Sequence, residues 1–195
     1  MSHKSQDNGL LFSKQGQQEN SICIGVISDT HIPDQYEHIP KVVLDAFKQV
    51  DLVIHAGDMV SLGVIDELKS VCVKVVAVAG NMDQDAVKKK YPVKQVLDIL
   101  SYRLGVMHGA GSAFNLLDLL KDAFKEDNCD LIIFGHSHKP MNEKIGRVLF
   151  FNPGSATDRT AEYNSYGIIE LKKRLPHLDL ASESQGKVEA RVIKI

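Results

Sequence analysis

The chain has little that would mark it for export, for a membrane or for a disulfide framework. Cysteine occurs only three times in 195 residues, as Cys23, Cys72 and Cys129, an odd number at wide spacing. That pattern argues against paired disulfides and against a thiolate zinc site. Cys23 and Cys72 lie in apolar strand-like runs and read as buried structural thiols. No window comes near the roughly 18 apolar residues that a membrane span needs. Residues 1–20 contain Gln, Ser, Asn and Lys without a sustained apolar stretch, so they read as a flexible polar tail rather than a secretory leader. The cytoplasm is therefore the expected compartment. Charge of one sign is also missing: 23 Lys and Arg stand against 25 Asp and Glu, a net charge of −2. Such a balance carries no strong nucleic-acid signal and no pull toward an anionic membrane. An anionic substrate would have to be attracted by something local.

What remains is an ordinary globular composition, 44% hydrophobic and 25% charged, with a length suited to one domain over residues 21–195. Short apolar runs at Ile22–Ile27, Leu52–His55 and Val73–Ala79 are β-branched and each is followed by Gly or Asp, as buried strands are. Between the first two, Ile39, Val42, Val43, Ala46, Phe47 and Val50 repeat at helical spacing, with Pro40 tolerated in the first turn. A second helix is expected after Ser61, with Ile65 and Leu68 inward. The strand–helix–strand alternation predicts an α/β core with parallel strands. Val93–Ile99 and Tyr102–Met107, two residues apart, predict an antiparallel hairpin. Ser112 caps a helix that carries Ala113, Leu116, Leu117, Leu120 and Phe124. Leu131–Phe134, Val148–Phe151, Tyr166–Leu171 and Val188–Ile195 read as strands, and the polar stretch from Lys172 to Lys187 as a loop. Lys88, Lys89 and Lys90 read as an exposed helix face.

The chemistry-bearing residues sit at the strand ends. Ile27 is followed by Ser28-Asp29-Thr30-His31, Ile54 by His55-Ala56-Gly57-Asp58, and Ala79 by Gly80-Asn81-Met82-Asp83. Met107 is followed by His108-Gly109, and Phe134 by Gly135-His136-Ser137-His138. Open α/β sheets bind ligands at the carboxyl ends of their strands, so side chains far apart in sequence can converge there. Carboxylates, an amide and imidazoles form an oxygen and nitrogen set that suits Mn²⁺ first, with Ni²⁺, Zn²⁺ or Fe also fitting. Seven such side chains exceed one tetrahedral zinc and suit two divalent metal ions sharing a carboxylate. Two ions about 3.5–4 Å apart can activate water and stabilise an in-line phosphoryl transition state.

The series Asp-x-His, Gly-Asp, Gly-Asn, His-Gly and Gly-His-x-His resembles the motif set of the calcineurin-like metallophosphoesterase superfamily. The short chain, the Gly-Asn-Met-Asp stretch and Asn152-Pro153-Gly154-Ser155 resemble its small prokaryotic phosphodiesterase branch. The resemblance covers roughly Ile22 to Leu171. It implies an α/β fold built as a two-sheet β-sandwich flanked by helices, in a single domain. It also implies that Asp29, His31 and His138 hold one metal, that Asn81, His108 and His136 hold the other, and that Asp58 bridges them. Asp58, Asn81 and His108 are the expected catalytic residues, with a bridging hydroxide as nucleophile. A small phosphodiester is the expected substrate, and a homo-oligomer stays open.

Many phosphomonoesterases of the superfamily place a histidine after Gly-Asn, thought to protonate the leaving group. Here Met82 stands in that position, and a thioether cannot donate a proton. Diesterase activity is therefore favoured over a phosphomonoesterase acting on a metabolite or nucleotide. A non-enzymatic reading also exists, because a retromer subunit resembles this branch and binds partner proteins. The complete ligand set here favours the enzyme. His55 reads as a hydrogen-bonded packing residue. Asp83 either orients a ligand or begins the helix after it. Asn152-Pro153-Gly154-Ser155 is a turn that the resemblance places against the metal site.

Overall fold

The computed structural model describes residues 20–173 and 187–195. The expected polar tail lies outside the described residues except for Asn20, as does all of the expected Lys172–Lys187 loop but its ends. The described chain runs β1 (Ser21–Ile27), α1 (Lys41–Phe47), β2 (Leu52–His55), α2 (Gly63–Val71), β3 (Val75–Ala77), α3 (Asp85–Lys90), β4 (Lys94–Ile99) and β5 (Tyr102–Met107). It continues through a 3-10 turn at Ala113–Asn115, α4 (Leu116–Ala123), β6 (Leu131–Ile133), β7 (Met141–Ile145), β8 (Val148–Asn152), β9 (Ser165–Lys172) and β10 (Lys187–Lys194).

Two five-stranded sheets form, in the orders β10-β9-β1-β2-β3 and β4-β5-β6-β8-β7. Each has three neighbouring parallel strands, β1-β2-β3 in one and β5-β6-β8 in the other. The remaining pairs are antiparallel, including the expected β4–β5 hairpin. Strand alternation explains the layering. Ile22, Ile24 and Val26 of β1 join Leu104, Val106, Leu131 and Ile133 in one buried cluster between the sheets. The opposite face of the first sheet packs on α1 and α2 through Val53, Val43, Phe47, Ile65 and Leu68. Leu116, Leu120 and Phe124 cover the outer face of the second sheet with Ile132 and Phe150. The fold is thus the two-sheet α/β sandwich flanked by helices.

Some boundaries differ from expectation. Pro40 stands at the N-cap of α1 rather than inside its first turn, and Val42 is 52% exposed. The strand expected from Val73 begins at Val75, leaving Val73 88% exposed. Cys23 is only half-buried, whereas Cys72 and Cys129 are buried, and all three are free thiols. One element escaped the sequence reading, β7, whose middle residues are exposed, whereas Lys88, Lys89 and Lys90 form the expected exposed face of the six-residue α3.

Gly25 shows why α1 sits where it does. A Cβ there would lie 2.6 Å from Phe47 Cε1, so the fully buried Phe47 ring rests directly on the β1 backbone. Its edge meets Tyr166 with centroids 5.6 Å apart. Phe47→Ala would leave a hole that the backbone of Gly25 cannot fill. We expect it to cost about 3–5 kcal/mol, read as a lower urea midpoint with an unchanged m-value; a loss below about 1 kcal/mol would show that α1 does not depend on this contact.

Candidate metal centre

All seven sequence-predicted site residues stand at one edge of the sandwich, past the carboxyl ends of the parallel strands. Asp29 and His31 follow β1, Asp58 follows β2, and Asn81 follows β3. His108 follows β5, and His136 and His138 follow β6. The end of β8 adds Asn152 through Asp158, so three strands from each sheet contribute.

The local backbone is held in an unusual shape. Five of the seven residues are left-handed: Asp29 (φ 53°), His31 (43°), Asp58 (55°), His136 (69°) and His138 (55°). That conformation costs a non-glycine residue about 1–2 kcal/mol, and it persists where surrounding contacts fix it, most often at functional sites. Those contacts are present. Asp29 N–H donates to the Gly57 carbonyl and His31 N–H to the Asp58 carbonyl, both at 3.0 Å. Ser155 Oγ donates to the Asp29 carbonyl at 2.7 Å, and Thr157 Oγ1 to that of Thr30 at 2.5 Å. Asn152 Nδ2 donates to the Gly135 carbonyl at 2.8 Å. Gly135 itself admits no side chain, since a Cβ would fall 2.0 Å from Ser28 Oγ and 2.6 Å from Asp29 Oδ2.

The hydrogen bonds also decide which atoms remain free. His108 Nδ1 lies 2.8 Å from the Ala56 carbonyl and must carry the proton there, leaving a lone pair on Nε2. Likewise His138 Nδ1 donates to Asp158 Oδ2 at 2.7 Å, and His136 Nε2 donates to the Gly111 carbonyl at 2.7 Å. The free lone pairs then face other acceptors. His136 Nδ1 is 3.1 Å from Asn81 Oδ1, and His138 Nε2 is 3.2 Å from His31 Nε2 and 3.3 Å from Asp29 Oδ1. His108 Nε2 is buried and lies 3.0 Å from Asp58 Oδ2. Asp29 with His31 and His138, and Asp29 with Asp58 and His108, each offer donor atoms within 4.8 Å of one another. Asp58 Oδ1 is occupied by the Met82 N–H at 2.7 Å, so its Oδ2 is the oxygen turned inward, 4.0 Å from His31 Nε2. Carboxylate oxygens and imidazole nitrogens packed this closely need positive charge between them, from protons or from metal ions, so the residues present fit divalent ions.

The supporting residues divide clearly. His55 is a packing residue, as expected: its Nδ1 accepts from Gly57 N–H at 3.2 Å and its Nε2 meets Thr30 Oγ1 at 3.1 Å. Burial pushes its pKa down to about 3. Asp83 does not cap α3, whose N-cap is Gln84. Its two oxygens accept from Val60 N–H at 2.6 Å and Gly80 N–H at 2.7 Å, tying the loops of Asp58 and Asn81 together. Asp158, which orients His138, was missed. Its signal was faint, a lone acid three residues past the Asn152–Ser155 turn.

Residues 22–174 match the calcineurin-like phosphoesterase superfamily domain. The chain belongs to that superfamily. A probable metallophosphoesterase of Methanocaldococcus jannaschii is 42% identical over 139 residues, covering 70% of this chain and 69% of the relative. A solved archaeal phosphodiesterase superposes with a TM-score of 0.65 at 26% identity, covering 89% of this chain and 100% of the other. Vacuolar protein sorting 29 of Cryptosporidium parvum has a TM-score of 0.70 at 19% identity, covering 91% and 100%, a likeness of fold.

Without metal, the carboxylate of Asp29, and then that of Asp158, raises the pKa of His138 to about 9 against the pull of burial. Against its burial, His108 is also raised, by Asp58 and Asp29. An unfolded histidine titrates near about 6.5. The stabilisation from these protonated rings is therefore complete below pH ~6.5 and is lost as pH rises toward ~9. His55 acts with opposite sign but only below pH ~6.5. We expect the melting temperature of chelator-treated protein to fall between pH 6.5 and 9, and Mn²⁺ to abolish that fall; a flat profile without metal would contradict it.

Proposed function

We propose that the chain is a cytoplasmic phosphodiesterase that works with two divalent ions, Mn²⁺ foremost. The observation that carries this reading is the close approach of two buried groups, His108 Nε2 and Asp58 Oδ2, 3.0 Å apart where the carboxylate and histidine clusters meet. Asp29, His31 and His138 form one ligand set, Asn81, His108 and His136 the other, with Asp58 Oδ2 between them. Ions held by these residues would supply a hydroxide at neutral pH and positive charge for the phosphoryl oxygens. The protein's share is geometry. Ala56 holds the His108 ring, Asp158 holds His138 and Gly111 holds His136, so the donors need no rearrangement at the moment of reaction. Asn81 is exposed, so the centre is open to solvent on its side. The three free thiols agree with a reducing compartment.

We expect saturation with Mn²⁺ to load about two ions per chain. Asp58→Asn then lowers turnover more than Asn81→Ala, since it removes a negative charge from between two dications. Elemental analysis beside a bis(p-nitrophenyl) phosphate assay checks both. A single ion at saturation, or near-normal turnover by Asp58→Asn with both ions bound, would refute the arrangement.

Met82 favours a diester as the substrate class. It is 57% exposed beside Asn81 and offers no proton, whereas general acid catalysis contributes roughly 10²–10⁴-fold. Turnover should therefore follow leaving-group quality: high for an aryl diester, weaker for alkyl diesters and slight for phosphoserine peptides. Met82→His should raise monoesterase relative to diesterase activity. Brisk phosphopeptide hydrolysis with weak diester hydrolysis would put the phosphomonoesterase reading first.

A further inference from the structure

Two cavities meet along the segment Ser137–Pro140, which carries His138. One, of about 500 Å³, opens beside His138 and Asp158 and is walled by Thr160, Glu162 and Tyr163. The other, of about 440 Å³, is walled by Phe114, Leu116, Leu117, Phe134 and Met141. Ser137, Lys139 and Pro140 line both. Their chemistry differs: two carboxylates and several hydroxyls stand in the first, mostly aliphatic and aromatic carbon in the second.

The apolar cavity is lined by Phe134 and Ser137, the residues that bracket Gly135 and His136. Phe114 is 98% exposed and stands three residues after Gly111, whose carbonyl holds the His136 ring. It is no isolated surface apolar residue, because it walls a cavity with four other apolar side chains. An apolar recess of this size with a few polar groups at its rim is the usual form of a small-molecule site. In the polar cavity, Thr160 Oγ1 donates to Asp158 Oδ1 at 2.8 Å, so its oxygen remains free to accept. Glu162 is exposed and offers two more acceptors. Lys139 makes no ion pair among the described residues and sits where the cavities join.

A phosphomonoester presents one substituent beside its phosphate, a phosphodiester two. We infer that the substrate is an unsymmetrical phosphodiester, with an aryl or aliphatic arm against Phe114 and a hydroxyl-bearing arm, such as a sugar or glycerol, held by Glu162 and Thr160. This assignment rests on the phosphodiesterase reading and names its substrate class. Hydroxyl recognition follows from acceptors that water alone would otherwise satisfy, and apolar recognition from removing the Phe114 ring from water.

Two diesters that share an aryl arm test it with the Mn²⁺-loaded full chain: methyl p-nitrophenyl phosphate and thymidine 5′-(p-nitrophenyl) phosphate. The unmodified protein should prefer the thymidine diester in kcat/KM by about tenfold. Glu162→Gln should cut that preference by about three- to tenfold, and Phe114→Ala should raise KM for both diesters by about three- to tenfold. Both side chains are exposed, so the variants retain the fold, and elemental analysis should find their metal content unchanged. Absence of the preference, or variants that move neither quantity, would overturn the assignment of the cavities while leaving the phosphodiesterase reading intact. Failure to hydrolyse either diester with both ions bound would bring down the phosphodiesterase reading itself.

Discussion

Asp29 and Asp58 are two buried carboxylates, 0% and 2% exposed, pressed against the imidazole rings of His138 and His108. Burying negative charge in this way is unfavourable unless cations or donated hydrogen bonds balance it. The hydrogen bonds are supplied: Ser28 Oγ and the His136 N–H reach Asp29, and the Met82 N–H reaches Asp58. The inward oxygen of Asp58 is left to the His108 ring, 3.0 Å away, where a proton or a cation balances it, and that requirement organises the rest of the molecule around it. Against the burial that would raise it, contact with His108 holds the Asp58 carboxyl below its ordinary range. In the metal-free chain, proton and metal therefore compete for the same points.

Such a cluster needs ligands from many places delivered to one point, and the parallel strands accomplish this. A parallel strand ends at the same sheet edge as its neighbours, so β1, β2 and β3 together release three loops beside one another. The second sheet does the same with β5, β6 and β8, and the shared apolar core sets the two edges face to face. The antiparallel strands β4, β7, β9 and β10 contribute no ligand. They extend the sheets outward on either side, and the Asn142 side chain of β7 donates to the Ala190 carbonyl of β10 at 2.7 Å, linking the two sheets.

The strand-end motifs were legible because each combines a buried apolar run with an abrupt polar residue, a pattern that local sequence carries in full. Asp58 after Leu52–His55 and His136 after Leu131–Phe134 are of this kind. Asp158 was not legible, since its role depends on a 2.7 Å contact with His138 across 20 residues of chain. The same holds for Asp83, which could be read equally as a ligand support or a helix start until its bonds to Val60 and Gly80 were seen. Strand β7 was hidden for another reason. Its sequence, Met-Asn-Glu-Lys-Ile, is an edge strand with three exposed residues in a row, and period-two patterning fades where no face is buried. Val42 was placed inward by helical spacing, but α1 covers its sheet with the narrower stripe of Val43 and Phe47.

The backbone at the centre bears on what the fold is for. A surface that only docks partner proteins draws its contacts from exposed residues, yet Asp29 and His108 are 0% and 1% exposed and can touch no partner. Five left-handed ligand residues each add about 1–2 kcal/mol of strain, which is large beside a typical net stability of about 5–15 kcal/mol. A docking surface gains nothing from that strain. Ions bound between the lone pairs would gain from it directly, because the left-handed turns are what aim Asp29, His31, Asp58, His136 and His138 inward together. The geometry therefore favours ion binding at the centre, and a protein partner would have to use the outer faces.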